Sequence, residues 1–194
     1  MPAPSRELAP GLVIQGFQPP LRLSDFKLIA FDMDSTLINI ECVDEIADAA
    51  GRKAEVAAIT AAAMRGEISD YKDSLRQRVA LLEGVPASAL EEVYTQRLQL
   101  NPGAEALVNA CREAGLKTLL VSGGFTFFTD RLKTRLQLDD ARSNLLEIVD
   151  GHLTGRMVDQ DWGDICDGEM PMRAQVASSV RCRSEEHTSE LQSP

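Results

Sequence analysis

Apolar positions along this chain change period at definable points, and the changes mark its elements. Residues 1–26 are rich in Pro and Gly, with one β-like patch at Leu12–Gln15 that Pro19 and Pro20 close. These residues read as a loosely attached arm with a marginal strand. Leu28 to Phe31 is a short apolar run, so the segment 27–38, KLIAFDMDSTLI, predicts a buried strand followed by a polar turn. The period then becomes helical. Val43, Ile46 and Ala47 share a face before Gly51. An alanine-rich stretch from Lys53 to Arg65 predicts a second helix that Gly66 ends. Leu75, Val79 and Leu82 form one stripe of a third helix over Tyr71–Leu82, with Ser69 or Asp70 as its N-cap. Residues 87–98 predict a fourth helix after Pro86.

The β/α alternation resumes after the turn signal Asn101-Pro102-Gly103. A helix is expected over Ala104–Ala114 and an apolar strand over Leu116–Val121, the latter running into Ser122-Gly123-Gly124. A helix over Phe125–Leu136 follows. Leu145–Val149 and Leu153–Val158 then flank Asp150-Gly151 as a hairpin-like pair. This order predicts an α/β fold with a parallel sheet, interrupted by a block of short helices at 41–100. In open α/β sheets ligands bind at the C-terminal ends of strands. Two polar clusters, Asp32 to Thr36 and Ser122 to Gly124, fall at such ends.

Composition narrows the partners. Asp and Glu number 30 against 20 Lys and Arg, a net charge of -10. That disfavours nucleic acid and anionic membranes, both of which need a cationic surface. No apolar run is long enough to span a bilayer, and no cationic segment followed by a long apolar one opens the chain, so a cytoplasmic location is expected. Cys42, Cys111, Cys166 and Cys182 form no CxxC pair, which argues against structural zinc and for free thiols.

The chemistry sits in the two clusters. Asp32 and Asp34 could surround one pocket after a turn. One ionised carboxylate would attack phosphorus, a second would protonate the leaving alcohol and then activate water, and a divalent cation would screen their repulsion. Mg2+ suits such oxygen ligands. On spacing alone, DxD equally fits two capping acids after a strand. Ser122 with two glycines can hold phosphoryl oxygens, since neither glycine has a Cβ to block approach; taken alone it also fits a plain tight turn.

The runs FDMDSTLI, IECVDEIA, AMRGEI, SLRQRVALL and LLVSGGFTFF, in that order, resemble the phosphoserine phosphatase branch of the haloacid dehalogenase superfamily over residues 27–168. The resemblance implies a Rossmann-like core at 27–40 and 101–168, a small helical cap at 41–100, and Mg2+ as cofactor. It implies hydrolysis of O-phospho-L-serine through an aspartyl phosphate. Asp32 would be the nucleophile and a Mg2+ ligand. Asp34 would be the general acid/base, with its carbonyl also on Mg2+. Ser122 and Gly123 would bind phosphate, Glu41 the substrate amino group and Arg78 its carboxylate. Met64 would wall the cap pocket. Phosphoryl transfer to another alcohol such as homoserine, and a non-catalytic phosphoserine-binding remnant, are the alternatives.

The chain departs from that pattern near its end. A lysine expected near the start of a helix falls at about Pro171, and no lysine follows Lys133. Nothing like the family's GDGAND run occurs. Residues 169–194 therefore read as an aberrant tail, and RSEEHTSELQSP (183–194) resembles a translated sequencing adapter. The expectation is a core lacking its last strands, with the Leu28–Phe31 strand left at an edge and activity reduced or lost.

Overall fold

The computed structural model describes residues 5–10, 12–15, 20, 22–68 and 70–158. The tail expected at 169–194 lies outside them. Strands β1 (Ser5–Ala9) and β2 (Leu12–Gln15) pair antiparallel as a separate two-stranded sheet, with a register shift between Glu7 and Ala9. The patch at Leu12–Gln15 is thus a strand, and the polar stretch before it supplies its partner.

Strand β3 (Leu28–Phe31) opens the main sheet, which has the order β3-β4-β5-β6. Its other strands are β4 (Lys117–Phe125), β5 (Asp140–Val149) and β6 (His152–Val158). β3 and β4 run parallel in the register Leu28↔Lys117 to Phe31↔Leu120, and β4 and β5 are also parallel. β5 and β6 close as an antiparallel hairpin. Among the described residues β3 is an edge strand. Side-chain alternation splits the β4 run between two faces. Leu120 joins the main core with Phe31, while Leu119 and Val121 pack on the opposite face with Leu28 and Ala30.

Between β3 and β4 lie α1 (Cys42–Ala49), α2 (Lys53–Met64), α3 (Tyr71–Ala80), α4 (Ser88–Glu92), which continues as a wide turn to Arg97, and α5 (Ala104–Glu113). The α1 stripe Val43, Ile46 and Ala47 is buried as its period requires. Asp70 caps α3, its carboxylate accepting the Lys72 N–H at 2.9 Å. Helix α6 (Thr126–Leu136) buries Phe128 and Leu132 completely.

Two sets of backbone bonds fix the helical block to the sheet. At its exit, Asn39 N–H donates to the Gln99 carbonyl at 3.0 Å and Asn101 N–H to that of Leu37 at 2.9 Å. At its middle, Gly84 N–H donates to the Leu153 carbonyl (2.9 Å), Leu153 N–H to that of Val85 (2.8 Å) and Ala87 N–H to that of Gly151 (2.8 Å). The β5–β6 hairpin therefore holds the α3–α4 connection through main-chain bonds, which side-chain changes in the pocket leave intact.

Two boundaries differ from expectation. β4 continues through Ser122, Gly123 and Gly124 to Phe125 instead of ending at Val121, with its register against β5 shifting between Val121 and Phe125. The glycines thus sit in a bulged strand end instead of a free turn. β5 begins at Asp140, five residues before the expected Leu145.

Candidate active site

The strand β3 ends at Phe31 and delivers Asp32 into an extended conformation. Met33 to Leu37 then forms one wide turn closed by Ile38 N–H on the Met33 carbonyl at 3.1 Å. Inside it Ser35 takes φ +52°, a left-handed conformation uncommon for a residue with a Cβ. The turn is braced from outside. Asn101 Nδ2 donates to the Thr36 carbonyl at 2.8 Å and to the Ile38 carbonyl at 3.0 Å.

This turn gives the two acids different surroundings. Asp32 is exposed, and its Oδ1 accepts its neighbour Met33 N–H at 2.8 Å. Desolvation raises its pKa, opposed by that N–H and by the Thr36 hydroxyl. Asp34 turns inward. Its Oδ1 accepts the Cys42 N–H at 3.0 Å, and its Oδ2 lies 3.4 Å from the Ser122 hydroxyl of β4. Burial pushes the Asp34 pKa up to about 6, against the lowering effect of the Cys42 N–H and thiol; the charges of Glu41 and Asp32 raise it further. The first cluster and the second therefore meet at Asp34 and Ser122.

The β4 side of the site is packed close. Ser122 is fully buried and its Oγ accepts the Gly124 N–H at 2.9 Å. A Cβ at Gly124 would come within 2.7 Å of Met33 Cε and 3.0 Å of Asp34 Oδ2. A Cβ at Gly123 would overlap the Tyr71 hydroxyl. A side chain at Gly123 would displace the Tyr71 hydroxyl, and one at Gly124 would push aside the tip of Met33 and crowd Asp34 and Ser122. Asn144 of β5 fixes the strand end by donating Nδ2 to the Gly123 carbonyl at 2.9 Å.

The helical block supplies the remaining groups. Glu41 precedes α1, and its Oε1 accepts the Ser35 hydroxyl at 2.6 Å. Arg78 is half-buried on α3, two turns after Tyr71, with its guanidinium carbon 5.8 Å from the Tyr71 ring centroid. Tyr71 is the bridge between these groups and the acids. Its pKa is raised by burial, lowered by Arg78, and raised by the charges of Asp34 and Asp32. Met64 ends α2, and its side chain lies outside the described part of the structure. Sequence reasoning placed Ser35 in the polar cluster without its contact to Glu41, and gave Cys42 and Tyr71 no place in the site. The helical spacing of Tyr71 and Arg78 was the available signal for one of them, since positions seven apart share a helix face.

Asp32 and Asp34 are hard oxygen donors of the kind Mg2+ takes. They fit as part of such a ligand set. Among the described residues no three His, Cys, Asp or Glu side chains cluster to complete one. No described helix is long and apolar enough to cross a membrane.

A parallel sheet with paired aspartates at the end of one strand and a serine-glycine end on its neighbour is the framework of an aspartate-based phosphotransferase. Residues 29–169 match the model of the haloacid dehalogenase-like hydrolases, and the chain belongs to that family. Within it, the chain is 76% identical over 163 residues to a phosphoserine phosphatase of Polaromonas sp. (strain JS666 / ATCC BAA-500), a match covering 84% of this chain and 69% of the relative. It is 74% identical over 161 residues to the phosphoserine phosphatase of Albidiferax ferrireducens, covering 83% and 68%. Among solved structures, a phospho-aspartyl intermediate analogue of phosphoserine phosphatase superposes with a TM-score of 0.63 at 42% identity, covering 68% of this chain and 62% of the other.

Proposed function

We propose that the site is built to hydrolyse O-phospho-L-serine to serine and phosphate through a phosphorylated Asp32, with turnover reduced in this chain by the departure of residues 169–194 from the family pattern. The observation that carries this is the unequal pair of acids. Asp32 is accessible at the strand end, while Asp34 is partly buried with a pKa raised to about 6. A nucleophile must be reachable and ionised, and a general acid/base works best with a pKa close to ambient pH. The names of the similar proteins support the same reaction.

In the first step an Asp32 oxygen attacks phosphorus and the bond to the serine oxygen breaks. Asp34 gives its proton to that oxygen, and serine leaves. In the second step Asp34, now ionised, takes a proton from water as the water oxygen attacks the aspartyl phosphorus. Phosphate leaves, and Asp32 returns to its carboxylate. Ser122 and the N–H groups beside Gly123 hold the phosphoryl oxygens. Asp32 and Asp34 are the residues that would hold Mg2+, which supplies neutralisation of the phosphate charge when bound.

Specificity rests on the two ends of the substrate amino acid. Glu41 meets the ammonium group, and Arg78 offers its planar fork to the carboxylate. The test is phosphate release from O-phospho-L-serine by the chain in Mg2+ buffer, wild type against Asp32→Asn. Release that depends on Asp32, with a trapped acyl phosphate, is the expected result. Release that survives Asp32→Asn overturns the reading.

A further inference from the structure

The Tyr71 side chain crosses from the helical block to the bulged end of β4. Its hydroxyl stands over Gly123 so closely that no Cβ could be placed there. It opens α3, where Asp70 caps the helix and so fixes the direction in which the first turn leaves the loop. Arg78, two turns further along, lies 5.8 Å from the ring centroid. The ring also packs against the main core, which restrains its rotation.

A tyrosine placed here for packing alone would need only its ring. The hydroxyl adds a polar atom to a half-buried position; its oxygen is hydrogen-bonded by the Arg78 side chain, and its own O–H is a donor besides. It projects toward the strand end assigned to the phosphate, between the cation of Arg78 and the anions Asp32 and Asp34. The surroundings favour the neutral phenol, because burial, with the two carboxylates, outweighs the charge and hydrogen bond of Arg78 that would favour ionisation. A neutral phenol offers an O–H donor to an anion.

We propose that Tyr71 is a further phosphate-binding residue, its hydroxyl donating to a phosphoryl oxygen seated against Gly123. This rests on the reading of Ser122 and Gly123 as the phosphate end of the site. It assigns the helical block a contact with the phosphoryl group itself, besides the amino-acid end of the substrate. Any phosphate monoester, and inorganic phosphate, would use the contact. L-serine, which carries no phosphate, would not.

The test uses the full chain in Mg2+ buffer with inorganic phosphate as the probe. Calorimetric titration of wild type and Tyr71→Phe reads the contact directly, because the substitution removes only the hydroxyl. Loss of one hydrogen bond to an anion predicts that Kd for phosphate rises about tenfold. In chain labelled with 13C at tyrosine Cζ, phosphate is expected to shift the Tyr71 signal and leave that of Tyr94 in place, and L-serine is expected to shift neither. An unchanged or lower Kd in Tyr71→Phe, or a Tyr71 signal that phosphate does not move, overturns the assignment while the phosphate site stands. A wild-type chain that binds no phosphate overturns the reading of the site, and the assignment with it.

Discussion

The Asp34 carboxylate accepts the backbone N–H of Cys42 at 3.0 Å, so the proposed acid/base is tied to the first turn of α1. That bond lowers the Asp34 pKa, yet burial outweighs it and the group reaches about 6. A carboxyl whose pKa is higher folded than unfolded binds protons more tightly in the native state, so its ionisation works against folding. The penalty is absent below about pH 4, grows between pH 4 and 6, and is complete above 6. Asp34→Asn removes it while keeping an acceptor for the Cys42 N–H. In metal-free buffer at pH 7.5 the variant is expected to be more stable than wild type by about 1–2 kcal/mol, less than the full linkage value because Asp34 is only partly buried. Urea denaturation at pH 7.5 and pH 4 checks this. A difference that does not shrink at pH 4 contradicts the assigned cause.

Ser35 couples backbone strain to Glu41, the residue proposed to meet the substrate amino group. Its φ of +52° is unfavourable for a residue with a Cβ, while its hydroxyl holds Glu41 Oε1 at 2.6 Å. Ser35→Gly relieves the strain and releases the carboxylate in one change. Fold stability is expected to change by less than about 1 kcal/mol. KM for phosphoserine should rise about three- to tenfold, the scale of one lost hydrogen bond. A phosphate ester without an amino group should be turned over as before. Steady-state kinetics on both substrates decide the point, and equal losses would place the effect in the catalytic turn instead.

Arg78, proposed to hold the substrate carboxylate, allows selection to be tested apart from chemistry in the same way. It sits on α3, half-buried, where the Ser74 carbonyl accepts its Nε at 3.4 Å and the Tyr71 side chain is a second hydrogen-bond partner. Arg78→Ala is expected to raise KM for phosphoserine by tenfold or more, as a charge-assisted pair is lost. Esters lacking the carboxylate should be little affected. Arg78→Lys should recover only part of the loss, since an ammonium cannot form the bidentate fork.

Period and spacing predicted five of the six helices and the succession of strands along the chain, because most of them bury a stripe or a face that their own residues announce; α2, which among its described side chains buries only Val56, was legible from its alanine content instead. The missed start of β5 shows where that signal ends. Asp140 to Asn144 is a polar run, and it enters the sheet because neighbours satisfy it. Just ahead of it, Asp139 accepts Lys117 Nζ at 2.7 Å and Thr118 N–H at 2.9 Å, and Asp140 accepts Ala141 N–H at 2.9 Å. Those partners lie over twenty residues away for Asp139, so no local pattern could reveal them. The site divides similarly. Asp32, Asp34 and Ser122 were legible as motif residues. The Tyr71 hydroxyl over Gly123 was not, since it depends on how α3 docks against β4.

Two glycines of the β5–β6 hairpin test how firmly it grips the helical block. Gly151 and Gly155 have φ values of +75° and +74°, so alanine at either meets the same backbone strain, about 1 kcal/mol or somewhat more. Their surroundings differ. Nothing lies within 4 Å of a Cβ at Gly151, whereas one at Gly155 would stand 3.0 Å from the Ala80 carbonyl oxygen and 3.1 Å from Glu83 Cβ. The carbonyl belongs to the C-terminal end of α3 and cannot rotate away as a side chain would. Gly155→Ala is therefore expected to cost about 1–3 kcal/mol more than Gly151→Ala, the range for an overpacked contact. Thermal melts of the two variants against wild type give the comparison. Equal shifts in Tm would mean that the hairpin is free to retreat from α3, and that the main-chain bonds from Gly84 and Ala87 hold the block without the Gly155 contact.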